Sequence, residues 1–128
     1  MKIFFDGGLR PTGMEWAVVV GGQAHIERGL GAGDSMDAEW LALIAATRLA
    51  HVHGLVDALL MGDSAAVIGQ ASGRVRVPPA YRGHFRLWSD LPRPTGRFRL
   101  RHIRRTQNLA GIALEKPWVA QRMGSREE

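Results

Sequence analysis

The chain alternates short apolar runs with glycine- and proline-marked breaks, and the spacing within each run names its element. Residues 2 to 6 (Lys-Ile-Phe-Phe-Asp), Trp16 to Val20 and about Gln23 to Leu30 read as strands. Gly21-Gly22 is a hairpin signal between the second and third, and Gly7-Gly8 with Pro11-Thr12-Gly13 marks a turn between the first and second. The opening is therefore an antiparallel meander. Leu41, Ile44 or Ala45, Leu49 and Val52 then recur at helical spacing, with Asp34 or Ser35 as the cap and Gly54 as the stop. Asp57 to Gly62 reads as a short buried strand, parallel to the first because a helix crosses between them.

A short helix is expected from Asp63-Ser64 through Gln70-Ala71, and Gly73 ends it. Pro78-Pro79 opens another, with Tyr81, Phe85, Leu87 and Trp88 as its apolar content. Phe98 to Ile103 alternates apolar and basic residues, as a strand with one exposed face does. A last helix is expected from about Asn108 to Glu115. The element order is that of a mixed α/β protein.

A length of 128 residues suits one domain with its own core, and 45% hydrophobic with 23% charged residues is ordinary for a globular chain. The expected domain spans 1–118, with 119–128 as a loosely held tail. The chain has no cysteine, which excludes disulfides, thiolate zinc sites and cysteine nucleophiles. No apolar stretch approaches the ~20 residues of a membrane span and no signal-peptide layout is present. A cytoplasmic protein with no membrane partner is expected.

The basic residues are unusual in kind and place. Of 17 only Lys2 and Lys116 are lysine, and the net charge is +5. Ten arginines fall between Arg74 and Arg105, against Asp90 as the single acid there. Arginine's planar fork suits phosphate, so the pattern fits a nucleic-acid backbone track, although an ordinary solvated face has the same composition.

Three carboxylates sit where a charge is costly. Asp6 ends the first apolar strand, Glu39 lies within the apolar helix, and Asp63 ends Leu59-Leu60-Met61-Gly62. A carboxylate carried beside a core must be paired, protonated or bound to a cation. If the three converge, they form an oxygen-rich site for a hard divalent cation.

Together these motifs resemble those of type 1 ribonuclease H: Asp6-Gly7-Gly8, Asp37-Ala38-Glu39-Trp40-Leu41-Ala42-Leu43 and Gly62-Asp63-Ser64, in that order, within residues 2 to 115. The resemblance implies a ribonuclease H-like fold, a five-stranded mixed sheet flanked by helices. It also implies a metal-dependent endoribonuclease that cuts the RNA strand of RNA/DNA hybrids and leaves 5′-phosphate and 3′-hydroxyl ends. Two Mg²⁺ (or Mn²⁺) ions would be held with substrate bound, and Asp6 would bridge them with Glu39 and Asp63 completing the shell. A monomer with no obligatory protein partner is expected.

The chain departs from that family at the last helix, where relatives carry a fourth aspartate. Arg104 to Glu115 contains none. Asn108 is expected to fill the corner through its amide oxygen, a role compatible with capping the helix. Glu115 lies too far along the helix to substitute without a shift. His102 is expected to be structural or phosphate-facing, and His25, His51, His53 and His84 to be surface or packing residues. Substrate contacts are expected from Gly7, Gly8, Ser35, Arg104 and Arg105. Competing readings are a catalytically weakened module that binds hybrid or double-stranded RNA, and another nuclease of the wider superfamily such as a resolvase or exonuclease.

Overall fold

The computed structural model describes residues 1–115. The expected tail, and the domain boundary at residues 118 and 119, lie outside the described residues. Five strands form one sheet: β1 (Lys2–Arg10), β2 (Gly13–Val20), β3 (Gln23–Glu27), β4 (Ala58–Gly62) and β5 (Phe98–His102), in the order β3-β2-β1-β4-β5. The first three are antiparallel, whereas β4 runs parallel to both β1 and β5. The α/β class and the mixed five-stranded sheet match expectation.

Boundaries differ for local reasons. β1 continues through Gly7-Gly8, pairing them with Trp16 and Glu15, and turns only at Pro11-Thr12. β3 stops at Glu27 because Gly29 takes φ +65°, after which Leu30 N donates to the Met14 carbonyl instead. β4 begins one residue late because Asp57 has φ +54°.

Among the described residues four α-helices flank the sheet: α1 (Ser35–Val52), α2 (Ala65–Ala71), α3 (Arg82–Asp90) and α4 (Leu109–Glu115). Asp34 caps α1 in a reciprocal capping box with Asp37, whose N–H donates to Asp34 Oδ1 at 2.7 Å. α3 follows a 3₁₀ turn at Pro79–Tyr81, where proline suits a first turn.

α1 packs on β1 and β2 and is covered by α3, so Trp40, Leu43 and Ile44 are buried together with Ile3, Phe5, Val18 and Leu60. α4 closes the opposite face with Ala110 and Leu114 against Ala17 and Val19. Trp40 Nε1 donates to Gln70 Oε1 at 3.1 Å, and Trp88 Nε1 to Thr47 Oγ1 at 2.9 Å, which satisfies both buried indoles. Among the described residues no helix is long and apolar enough to cross a membrane.

Candidate active site

The carboxylates converge at one end of the sheet. One oxygen from each of Asp6, Glu39 and Asp63 lies within 4.8 Å of the others. The topology brings them together: β1 and β4 are adjacent parallel strands, and α1 crosses between them. Two glycines permit the approach. A Cβ on Gly7 would stand 2.1 Å from the Ala38 carbonyl oxygen, so β1 and α1 touch backbone to backbone there. A Cβ on Gly62 would stand 2.5 Å from the Phe5 ring, which occupies that space between β1 and β4.

The trio is electrostatically unfavourable as it stands. Burial, and then the neighbouring charge of Asp63, raises Asp6 to about 7, although a hydrogen bond from Glu39 and the Arg105 guanidinium oppose the rise. Burial, and then the charge of Asp6, raises Glu39 to about 8 against the N–H of Gly7, which donates to Glu39 Oε1 at 3.0 Å. Protons or cations relieve such a cluster. An all-oxygen donor set of half-buried carboxylates suits a hard divalent ion, and the residues therefore fit the metal that the sequence implies.

Asn108 reaches the same corner with the opposite end of its amide from that expected. It is fully buried at the start of α4. Its Nδ2 donates to Asp63 Oδ2 and to the Phe5 carbonyl, each at 2.9 Å, while Oδ1 accepts from Ala110 N at 3.1 Å. Two backbone groups fix this orientation, since a carbonyl requires the NH₂ and an N–H requires the oxygen. The expected ligand atom is thus engaged as a helix cap, and Asp63 meets a donor.

An open cleft of about 350 Å³ runs beside the trio, lined in part by Asp6, Gly7, Gly8, Glu39, Arg105, Gly111 and Glu115. Arg105 thus lines the cleft that the trio borders. Arg104 is exposed beside it, with its N–H donating to Gln107 Oε1 at 3.2 Å. Ser35 is exposed at the first turn of α1, one turn before Glu39 and on the same face.

Several charged groups have local roles. His84, expected to have no carboxylate partner, lies 2.9 Å from Asp37 Oδ1 and stacks on Trp40. Their separation of 47 residues left no spacing signal. His102 is exposed, with Nε2 3.3 Å from the Asp63 carbonyl. Arg93, one of the ten arginines, stacks 4.2 Å over Trp88 and donates to the Trp88 and Leu91 carbonyls. It therefore contributes to the core edge. Arg99 and Arg101 stay exposed on edge strand β5.

Fold and acidic corner together define a ribonuclease H-like protein. No protein-family profile and no curated protein sequence matches the chain. Among solved structures, the N-terminal RNase H domain of a Mycobacterium tuberculosis protein, fused to maltose binding protein, is similar at 24% identity and TM-score 0.71, over 88% of this chain and 93% of that one. RNase H1 of the halophilic archaeon Halobacterium salinarum is similar at 26% identity and TM-score 0.63, over 89% and 96%. LC11-RNase H1, solved in complex with an RNA/DNA hybrid, is similar at 24% identity and TM-score 0.62, over 84% and 88%. This likeness shows that the chain has the ribonuclease H fold.

Proposed function

We propose that this chain is a divalent-cation-dependent endoribonuclease that hydrolyses the RNA strand of RNA/DNA hybrids, giving 5′-phosphate and 3′-hydroxyl ends. The observation that carries the reading is the convergence of Asp6, Glu39 and Asp63 within 4.8 Å, beside an open cleft that Asp6 and Glu39 line. The hybrid seen with LC11-RNase H1 supports the choice of substrate.

Asp6, Glu39 and Asp63 would hold Mg²⁺ or Mn²⁺, with two ions per site when substrate is bound. Cations at that corner supply Lewis acidity, lowering the pKa of a nucleophilic water and neutralising charge at the scissile phosphate. Asp6, which neighbours both Glu39 and Asp63, would serve both ions. Glu39 is aimed by the Gly7 N–H, and Asp63 by the Asn108 amide. In the Asp-Glu-Asp-Asn arrangement that results, Asn108 belongs to the site through Asp63. Arg105, with Arg104 beside it, offers guanidinium groups to substrate phosphate. Gly7 and Gly8 line the cleft and would face a sugar-phosphate chain bound there, and Ser35 adds a hydroxyl on the same side of α1 as Glu39.

A catalytically weakened module that binds hybrid or double-stranded RNA is the second reading, favoured by the uncharged Asn108 at the corner where the resemblance implies a fourth aspartate. Cleavage of labelled RNA/DNA hybrid, DNA duplex and RNA duplex with Mg²⁺ or Mn²⁺ separates the two. Hybrid-selective cutting by wild type, lost in Asp63→Asn, is the expected result. Hybrid binding without cleavage by either metal would establish the module, and equal cutting by Asp63→Asn would remove the acidic trio from the chemistry.

A further inference from the structure

We propose that Glu115 supplies the fourth carboxylate of the Asp6, Glu39 and Asp63 site, reaching it from the last turn of α4 across the space that Gly111 leaves open. The proposal rests on the reading of that trio as a cation site.

Gly111 is the α4 residue that faces the trio. A Cβ placed on it would lie 3.2 Å from Asp6 Oδ2 and 3.9 Å from Asp63 Oδ2, so any side chain there would enter the site. Glycine leaves that volume unfilled. Glu115 follows four residues later, and residues four apart share one helix face. In a helix the Cα–Cβ bond tilts toward the N-terminus, and a side chain covers the turn preceding its own Cα. The Glu115 side chain is therefore directed over Gly111, toward the carboxylates.

Two further observations agree. Glu115 is exposed, and lines the same cleft as Asp6, Glu39 and Gly111. The backbone beside it is anchored, because Arg10 Nη2 donates to the Leu114 carbonyl at 2.7 Å while Arg10 Nε pairs with buried Glu15 at 3.0 Å. That bond fixes the last turn of α4 against β1, where a cation would bind.

The other α4 donor is unavailable for the task. Freeing the Asn108 oxygen would strand the buried Ala110 N–H.

The test is Mn²⁺ titration by calorimetry at pH 8.5 on the full chain, for wild type, Glu115→Gln, Asp63→Asn and Asp90→Asn. Asp90 is exposed on α3 and controls for net charge alone. Glu115→Gln is expected to weaken Mn²⁺ binding by about tenfold or more, with its metal-free melting temperature unchanged, while Asp90→Asn binds as wild type does. Binding by Glu115→Gln within twofold of wild type, or an equal loss in Asp90→Asn, overturns the proposal. If Asp63→Asn loses Mn²⁺ while Glu115→Gln keeps it, Glu115 alone is wrong. If wild type binds no Mn²⁺, the cation-site reading fails with it.

Discussion

The backbone N–H of Gly7 donates to Glu39 Oε1 at 3.0 Å across a contact between β1 and α1 that has no room for a side chain. A Cβ on Gly7 would also stand 2.6 Å from Glu39 N. Aiming of Glu39 and close packing of strand on helix are thus a single arrangement, and the glycine after Asp6 is required by both.

Gly7→Ala is accordingly expected to destabilise the fold by about 3 kcal/mol or more, because the obstructing atoms are backbone and cannot rotate away. Gly8→Ala is the control, since its nearest atoms would be 3.5 to 3.7 Å away, which is ordinary contact. Its stability is expected to stay within about 1 kcal/mol of wild type, as strand alanine is no worse than strand glycine. Urea unfolding of the two variants checks this, and similar midpoints would contradict the packing argument.

The pH dependence follows from the raised carboxyls. Asp6 titrates at about 7 and Glu39 at about 8 in the folded protein, whereas both titrate near ~4 when unfolded. Between those limits the folded state keeps protons that the unfolded state has released. The stabilisation from this pair is therefore complete below about pH 4 and is lost as pH rises through 7 and 8. Cations compete with those protons, so metal-induced stabilisation should grow over the same range. Thermal melts from pH 5 to 9, with and without Mg²⁺, are expected to diverge with pH. The Asp6→Asn, Glu39→Gln double variant should show a flatter metal-free slope, and a slope identical to wild type would assign the effect elsewhere.

Much of this site is legible in the sequence because its three acids each end or interrupt an apolar element, and an uncompensated charge stands out there. The parallel pairing of β1 with β4 followed from the intervening helix. Gly7-Gly8 reads as a turn because two glycines usually break a strand, whereas here they keep it extended and make room for α1. His84 with Asp37, and Arg93 over Trp88, depend on how α3 lies against α1 and the sheet, which local spacing does not encode. The orientation of the Asn108 amide depends on the Phe5 carbonyl, 103 residues away.

That orientation gives a further prediction. In Asn108→Asp one oxygen still serves Ala110 N, but the other faces the Phe5 carbonyl and Asp63 Oδ2, two acceptors, at the positions of the former 2.9 Å bonds. Metal-free stability near pH 8 is expected to fall by about 3 kcal/mol, the scale for burying an unmatched charged oxygen. Denaturant midpoints in EDTA measure it. An Asn108→Asp variant as stable as wild type under those conditions would mean that the amide donors do not hold this corner.

The core offers a prediction independent of the site. Trp88 Nε1 donates to Thr47 Oγ1, and that hydroxyl donates onward to the Leu43 carbonyl at 2.9 Å, all in buried surroundings. Thr47→Val keeps the shape but leaves the indole N–H without its acceptor, at an expected cost of about 1–3 kcal/mol. Thr47→Val with Trp88→Phe removes donor and acceptor together. The double variant should therefore lose less than the sum of the two single losses, although the smaller ring leaves some space unfilled. Strict additivity in urea unfolding would show that the bond contributes nothing. Mn²⁺ affinity should be unchanged in Thr47→Val, because Thr47 lies two turns of α1 beyond Glu39, on the stretch of helix under α3.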